Sequence, residues 1–420
     1  MTRYRNRRFR AVLARCGLVS QNLETQSVIE NTQNGDETAM NRLPELSIGD
    51  LTAQLPIVQG GMGVGISGPS LAVAVAGAGG IGVLSSAGMG IDAPGYKDEP
   101  VAVSVNTLKA EIYEIRKKTN GIVGVNIMVA TSNFADMVQA AIDAEIDLIF
   151  AGAGLPLDLP KYLREGSKTK LVPIVSSGRA AALILRKWTS TYDYIPDAFV
   201  VEGPLAGGHL GFKKEQIHDP GYSLQKLVPQ VTQACRPFEE ASGKKIPVIA
   251  AGGVYSGRDI HEFMELGASG VQMGTRFVTT EECDASAQFK DSYLRCREED
   301  IIIIDSPVGM PGRAIRNSFL ATAQEGTQHP TGCPFQCIRT CDVTKSPYCI
   351  AIALLNAKKG KMDRGFAFAG QNAYRADRII SVSELMEEIK REYMESAYKH
   401  MDYPVAVSVS QLNVSIENER

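Results

Sequence analysis

This chain of 420 residues has few histidines, a single tryptophan and a net charge close to zero. It has five histidines and one tryptophan, and 44 Lys and Arg residues balance 47 Asp and Glu residues to a formal net charge of -3. Such a balance gives no general attraction to nucleic acid or to an anionic membrane. No segment approaches the ~20 uninterrupted apolar residues of a membrane-spanning helix. We therefore expect a globular protein that acts on a small-molecule substrate, without a nucleic-acid or membrane partner.

Cysteine is also too sparse for a disulfide-stabilised secreted protein, with eight residues in the whole chain. Disulfide scaffolds need a much higher cysteine density than this. No apolar segment of the kind found in signal peptides follows the basic N-terminus. These two absences predict a location in the reducing cytoplasm.

The start of the chain differs in composition from the middle. TRYRNRRFRAVLAR is rich in Arg and lacks acids, and the polar QNLETQSVIENTQNGDET follows it. This composition predicts that residues 1–40 form a disordered tail or a non-native extension before Met40, with a targeting presequence or a surface-binding helix as the alternative. We expect one domain over residues 41–300, a smaller one over 301–400 and a tail over 401–420.

Eight short apolar runs alternate with helical patterns from Leu55 onward. The runs are LPIVQG (55–60), IGVLSS (81–86), GIVGVNIMV (121–129), DLIFAGAG (147–154), KLVPIVSS (170–177), DAFVVEG (197–203), KIPVIAAGG (245–253) and ASGVQMGTRF (268–277). Runs of Val, Ile, Leu and Ala without polar alternation are typical of parallel strands buried on both faces. Their number favours an α/β fold of the closed (β/α)8 TIM-barrel type. A doubly wound open sheet is the alternative, although QGGMGVG after the first run is not a clean G-x-G-x-x-G.

Glycine and polar residues follow the predicted strands, at the end where a barrel has its mouth. Gly252 and Gly253 follow the seventh strand, and Gly274 and Thr275 follow the eighth. We expect the backbone amides of these loops to bind a phosphate, with tight turns as the alternative. A phosphate site with little charge around it indicates a phosphorylated cofactor. Three polar side chains at strand ends are predicted to bind the rest of it: Gln59, Asn126 and Gln272.

His209 lies in the segment EGPLAGGHLGF, residues 202–212. Gly207, Gly208 and Gly211 remove side-chain bulk around its imidazole, which fills a core poorly but lets a flat ligand approach the ring. His209 is therefore the predicted catalytic residue, and a loop histidine bound to backbone is the alternative. Glu202, at the end of the sixth strand, is expected either to orient His209 or a cation, or to form a buried pair that stabilises the fold.

Six motifs occur along the chain in the order PIVQGGMG, GVNIM, VEGPLAGGHLG, IPVIAAGGV, VQMGTRF and PVGMPGRAIRN. Together they resemble the nitronate monooxygenase family, whose superfamily also contains the flavin-dependent enoyl-acyl-carrier-protein reductase II enzymes. The resemblance runs from about Leu43 to about Glu392. It implies an FMN-binding TIM barrel with a smaller α/β cap, and His209 facing the flavin. The predicted cofactor-binding residues are Gln59, Gly60, Gly61, Met62, Asn126, Ser177, Gly207, Gly208, Gly252, Gly253, Gln272, Gly274 and Thr275.

The resemblance implies an FMN-dependent oxidoreductase, in first place a nitronate monooxygenase that oxidises alkyl nitronates with O2. An NAD(P)H-dependent enoyl-thioester reductase is the alternative, and a barrel that binds a phosphorylated ligand without catalysis is the third hypothesis. In either enzyme His209 would orient or protonate the substrate while the flavin carries the electrons. A homodimer is compatible with each of these three functions.

Five further residues have expected positions near the site, and four of them have two open roles. Arg276 and Arg313 are expected either to face the substrate or to form salt bridges. Phe366, Phe368 and Gln371 are expected to line the site from the cap, with core packing as the alternative for the two phenylalanines.

Half of the cysteines fall in one segment, HPTGCPFQCIRTCDVTKSPYCIAIALLNA. Cys333, Cys337 and Cys341 are four residues apart, so on a helix they would share one face, and Cys349 follows. Four thiolates there predict a [4Fe–4S] cluster or a Zn²⁺ ion. The spacing matches neither the C-x2-C zinc pattern nor the ferredoxin run, so free buried thiols are the alternative.

Overall fold

The computed structural model describes residues 43–325, 330, 333, 335 and 337–399. The chain divides into two units, Met1–Leu43 and Pro44–Arg420, and every helix and strand described belongs to the second. The predictions for residues 1–40 and 401–420 lie outside the described residues.

The described elements alternate between strand and helix over most of the chain. The strands are β1 (Leu46–Ile48), β2 (Leu51–Ala53), β3 (Ile57–Gln59), β4 (Gly82–Ser85), β5 (Val123–Met128), β6 (Leu148–Gly152), β7 (Lys170–Val175), β8 (Phe199–Glu202), β9 (Gly208–His209), β10 (Val248–Ala251), β11 (Gly270–Met273), β12 (Ile301–Asp305) and β13 (Pro311–Ile315). The helices are α1 (Pro69–Gly77), α2 (Pro100–Arg116), α3 (Phe134–Asp143), α4 (Gly178–Tyr192), α5 (Leu224–Ser242), α6 (Gly257–Glu265), α7 (Thr275–Val278), α8 (Ala287–Arg295), α9 (Ser318–Gln324), α10 (Ile350–Lys358) and α11 (Val382–Lys399).

Eight of the strands form one parallel sheet in the order β3-β11-β10-β8-β7-β6-β5-β4. The two outer strands also meet, because Val58 pairs with Ile81 in parallel and the Gln59 N–H donates to the Ile81 carbonyl at 2.9 Å. The sheet is therefore closed, which confirms the predicted (β/α)8 barrel and excludes the open sheet. Each predicted apolar run contains one of these strands, although the last run ends in α7 rather than in strand.

The inside of the barrel is filled by side chains from most of its strands. Val58, Val83, Phe150, Val172, Val200 and Ile249 belong to one buried cluster. The hairpin of β1 and β2 adds Leu46 and Ile48 to the same cluster from the N-terminal end of the strands. A barrel packed in this way is a core and not a channel. The space for a ligand along the barrel axis therefore lies beyond the C-terminal ends of the strands.

The last helix returns to the barrel and packs against α6. The first residue of α6 is Gly257, where a Cβ atom would lie 2.1 Å from the Ile389 carbonyl oxygen of α11. The Gly257 N–H donates to Glu392 of α11 at 2.8 Å, while Ser256 and Asp259 cap α6 reciprocally. Only glycine permits this approach, so the contact fixes the end of the chain against the barrel.

A small cap lies over the barrel and includes one strand from a barrel loop. The three-stranded antiparallel sheet has the order β12-β13-β9, and β9 belongs to the loop that follows β8. Behind this sheet, Phe319, Tyr348, Ile350 and Phe366 form a second buried cluster with α9 and α10. The cap therefore holds part of the loop that carries His209. None of the helices in the described part of the chain is long and apolar enough to cross a membrane.

Candidate active site

A cavity of about 700 Å³ opens over the C-terminal ends of the barrel strands. Loops that follow the barrel strands form its floor and are rich in glycine, as at Gly60, Gly61, Gly252 and Gly253. Aromatic and apolar residues of the cap and of α8 form its roof: Phe289, Tyr293, Met310 and Phe368. The cavity thus combines a floor of accessible backbone with an apolar cover.

His209 lies in this cavity with both a polar and an apolar neighbour. Its Nε2 atom is 2.6 Å from Oγ of Ser306, which is buried at the end of β12. The Phe368 ring meets the imidazole edge to face, with the ring centroids 4.9 Å apart. One nitrogen is therefore held by the serine, and the ring orientation is restricted by the phenylalanine.

The imidazole is neutral in these surroundings. Burial lowers the pKa of His209 to about 4, because the charged form loses hydration and no described carboxylate compensates. Glu202 lines the same cavity, and burial raises the pKa of its carboxyl to about 7. Among the described residues none makes a hydrogen bond or an ion pair with this carboxyl. Glu202 therefore neither orients His209, whose Nε2 is held by Ser306, nor forms the predicted buried pair.

Two glycines allow neighbouring loops to approach each other at the floor of the cavity. A Cβ atom on Gly61 would lie 2.4 Å from Cβ of Asn126, and one on Gly252 would lie 2.7 Å from the Gly203 carbonyl oxygen. Gly252 also has a φ of +89°, which L side chains rarely adopt. These contacts keep the backbone of the floor free of side chains, as a flat ligand lying on it requires.

The two predicted phosphate loops lie side by side. Strands β10 and β11 pair in parallel with Ala251 opposite Gln272, so the loops that begin at Gly252 and at Gly274 are adjacent. Both loops line the cavity. The Thr275 hydroxyl oxygen accepts the Gly370 N–H at 3.0 Å and keeps its own proton for a ligand. This arrangement of small residues and free hydroxyl fits a phosphate group.

Most predicted cofactor-binding residues lie together at the cavity. Those that line it are Gly60, Gly61, Met62, Asn126, Gly207, Gly208, Gly252, Gly253, Gln272, Gly274 and Thr275. Gln59 does not, because its buried side chain accepts the Val83 N–H at 2.9 Å and so joins β3 to β4. Ser177 does not either, because its hydroxyl caps α4 by accepting the Ala180 N–H, whereas the preceding Ser176 lines the cavity.

The two arginines occupy different positions behind the site. Arg276 forms an ion pair with Glu388 of α11 at 2.9 Å and faces a separate surface pocket. Arg313 is 1% exposed and donates to two backbone carbonyls of the His209 loop instead of forming a salt bridge. Phe368 and Gln371 line the cavity, whereas Phe366 is fully buried in the cap core.

The cysteine segment forms one wall of the mouth, and its predicted helical arrangement is wrong. Ile338 pairs with Thr131 in an antiparallel bridge, so the backbone is extended there. The Ser132 N–H donates to the Cys337 carbonyl at 3.1 Å, and Arg339 donates to the Val129 carbonyl at 2.7 Å. These contacts attach the segment to the loop after β5.

The predicted metal ligands do not form a coordination site in the described residues. Cys333, Cys337, Cys341 and Cys349 are all partly buried. Burial raises the pKa of Cys337 to about 12, with a smaller contribution from the neighbouring thiols. No group of three or more His, Cys, Asp or Glu side chains in the described ranges is arranged to hold a metal ion. Cys337 and Cys349 pack against the buried cluster of Ile91, Tyr96 and Ala351.

Two residues of the site have no clear signal in the sequence. Ser306 follows an isoleucine-rich strand and resembles any polar residue at a strand end. Tyr293 lines the cavity from α8, and its hydroxyl donates to the Phe368 carbonyl at 2.5 Å. Both reach the site through contacts between segments far apart in the chain.

Comparisons with known proteins match the family and the fold. The nitronate monooxygenase family model matches residues 45–392. A probable nitronate monooxygenase of Staphylococcus saprophyticus is 27% identical over 66% of this chain and 80% of its own length. A 5-hydroxy-7a-methyl-1-oxo-octahydro-1H-indene-4-carboxyl-CoA dehydrogenase of Mycobacterium tuberculosis is 29% identical over 65% of this chain and 66% of its own length. The solved structure of FabK from Thermotoga maritima is 30% identical, with a TM-score of 0.64 over 84% of this chain and 96% of FabK.

Proposed function

This chain belongs to the nitronate monooxygenase family, and from that premise we propose that it is an FMN-dependent oxidoreductase that oxidises alkyl nitronates with O2. The observation that carries the proposal is the position of His209. A neutral imidazole, held by Ser306, faces a glycine-lined floor under an apolar roof. A site of this kind offers a small substrate one hydrogen-bonding imidazole between an open floor and an apolar cover.

The residues at the floor fit FMN. Gly252, Gly253, Gly274 and Thr275 would hold its phosphate, because their loops are adjacent and free of bulky side chains. Gly61 and the amide of Asn126 would lie beneath the ring system. When bound, FMN would supply the electron acceptor for the oxidation and the route of electrons to O2.

His209 would orient the substrate by hydrogen bonding and not as a cation. A neutral imidazole has one N–H donor and one acceptor nitrogen, and the bond between Nε2 and Ser306 determines which of them faces the cavity. With a substrate bound, the Phe368 ring and the apolar roof would limit the access of water to the same region. Low water content strengthens each hydrogen bond that the substrate makes there.

Reduction of an enoyl thioester is the second candidate function. The structural similarity to FabK favours it, together with the apolar wall that the cap and the cysteine segment give the cavity. In this reaction His209 would bind the thioester carbonyl or supply a proton. The two candidates differ in their electron donor, because only the reductase needs NAD(P)H.

Steady-state assays separate the two functions. We expect oxygen consumption when an alkyl nitronate is added to the purified protein without a nicotinamide. NADPH oxidation that depends on an enoyl thioester, with no reaction toward nitronates, would identify the reductase. A purified protein that is colourless and remains so after incubation with FMN would favour a non-catalytic barrel.

A further inference from the structure

One wall of the cavity lies across the mouth of the barrel from the two phosphate loops. In the closed order of the strands, β8 and β7 on one side and β3 and β4 on the other separate β10 and β11 from β5 and β6. The loop after β5 carries Thr131, which pairs with Ile338 of the cysteine segment. The cysteine segment is therefore on the side of the mouth opposite the loops that begin at Gly252 and Gly274.

Three segments supply this far wall. The residues that line the cavity from it are Tyr96, which precedes α2, Val101 in α2, Ile338 in the cysteine segment, and Ile350, Ala351 and Leu354 in α10.

Helix α10 presents one apolar face to the far wall. Ile350 and Leu354 are four residues apart and share that face, and Ala351 lies beside them. Ile352 of the same helix does not line the cavity and is 41% exposed. The helix therefore has one apolar side chain in solvent that can be compared directly with those in the wall.

Charged side chains are nearly absent from the lining of the cavity. Of the described residues that line it, none is Lys, Arg or Asp, and Glu202 at the end of β8 is the one Glu. Beside the far wall, the buried hydroxyls of Ser104 and Thr131 donate to backbone carbonyls at 3.0 and 2.8 Å. A charged group placed against this wall would lose hydration and find no opposite charge. An apolar group there would remove apolar side chains from water, which is favourable.

We propose that the far wall is the subsite for an apolar tail of the substrate, so that the protein acts on nitronates whose alkyl chain is long enough to reach it. His209 follows β8, which lies between the two sides in the order of the strands. The imidazole and the far wall line the same cavity, so a head group at His209 leaves its chain free to extend toward the wall. The inference deepens the proposed function and rests on it for the nitronate head group.

Primary n-alkanols are suitable probes, because they carry the same alkyl tails and take no part in either candidate reaction. Isothermal titration calorimetry on the purified protein, incubated with FMN, compares butanol, hexanol and octanol. We expect the affinity to rise by about fourfold for each added methylene, which corresponds to the ~0.8 kcal/mol of a buried CH2 group. An affinity that does not rise with chain length would overturn the inference.

Two variants of α10 test whether the tail binds at the far wall. Leu354→Asn places a polar amide in the wall, and Ile352→Asn places the same amide on the solvent side of the same helix. We expect octanol affinity to fall by about tenfold in Leu354→Asn and to match wild type in Ile352→Asn. Equal octanol affinity in Leu354→Asn and wild type, or equal losses in the two variants, would contradict the subsite.

Circular dichroism checks the fold of each variant. If Leu354→Asn does not fold, Val101→Asn replaces it, because Val101 lines the cavity but is 41% exposed and is not part of the buried core. Octanol affinity should then fall by about threefold, since less apolar area is lost at this position. An unchanged affinity would count against the proposal.

The proposed function is measured separately, by turnover of propyl, hexyl and octyl nitronates. In wild type KM should fall with chain length, and in Leu354→Asn this dependence should be weaker. Octanol binding that depends on Leu354 in a protein without nitronate turnover would leave the subsite standing and reject the monooxygenase. Turnover with the same KM for all three nitronates, in a protein that does not bind octanol, would do the reverse.

Discussion

Nε2 of His209 lies 2.6 Å from Oγ of Ser306, although the two residues are 97 positions apart in the chain. His209 belongs to a loop of the barrel, and Ser306 follows the first strand of the cap. The hydrogen bond therefore crosses from one part of the fold to the other. It makes the orientation of the imidazole depend on the cap being closed over the barrel.

Ser306→Ala should reduce turnover more than substrate binding. Without the hydroxyl the imidazole loses the partner that fixes its tautomer, and one hydrogen bond is worth about 1 kcal/mol, or about a fivefold effect on rate. We expect kcat to fall by about fivefold with little change in KM. Ser292→Ala is the matched control, because Ser292 donates only to the Phe289 carbonyl within α8. Equal kcat values for the two variants would show that Ser306 does not act through His209.

The low pKa of His209 predicts a contribution to stability that is lost in acid. The imidazole titrates near its usual value of about 6.5 in the unfolded chain, but near 4 in the folded protein. Protons therefore bind preferentially to the unfolded chain as the pH falls between these values, and folding is weakened. We expect Tm to fall less between pH 7 and pH 5 in His209→Asn than in wild type. An identical fall in both proteins would contradict a buried, neutral His209.

The raised pKa of Glu202 predicts that its contribution to stability changes with pH in the opposite direction. Its carboxyl has a pKa of about 7 in the folded protein and an ordinary value of 4.5 when exposed. Its contribution to stability is therefore present below about pH 4.5 and is lost as the pH rises through 7. Glu202→Gln cannot ionise, so its Tm relative to wild type should increase from pH 5 to pH 8. A constant difference in Tm would mean that Glu202 has a partner or an ordinary pKa.

Gly252→Ala should weaken cofactor binding and the fold together. The backbone φ of +89° is strained for alanine, and the new Cβ would lie 2.7 Å from the Gly203 carbonyl oxygen. We expect a loss of about 1–3 kcal/mol in the free energy of unfolding and a lower FMN content. Gly77→Ala is the control, because a Cβ there has nothing within 4 Å and Gly77 ends helix α1. The control should keep its FMN content and gain about 0.5–1 kcal/mol.

The barrel could be predicted from the sequence because its signals are local. Each of the eight strands lies in a short run rich in Val, Ile, Leu and Ala. Such a run is sufficient to indicate a parallel strand that is buried on both faces. The residues at the ends of these runs meet at one mouth by the geometry of the barrel, which is why most of the glycine and amide positions of the floor were predictable.

The exceptions depend on side-chain direction and on contacts between distant segments. Ser176 and Ser177 are neighbours after the end of β7, but only Ser176 lines the cavity, because the Ser177 hydroxyl caps α4 by accepting the Ala180 N–H. Gln59 lies at a strand end yet turns inward to bond the Val83 N–H. The contact between Ser306 and His209 requires β9 to pair with β13 of the cap sheet. Because β9 is only two residues long, no local sequence pattern indicates that pairing.

The most direct test of the proposed function is an absorption spectrum of the purified protein, recorded without oxygen before and after addition of an alkyl nitronate. The account predicts flavin absorbance that is lost with the nitronate alone and returns when O2 is admitted. His209→Ala should keep the flavin and react about 10²–10⁴-fold more slowly, as expected for loss of a residue that handles the substrate directly. Loss of flavin absorbance with NADPH but not with the nitronate would contradict the monooxygenase, and a spectrum without flavin after incubation with FMN would contradict the site itself.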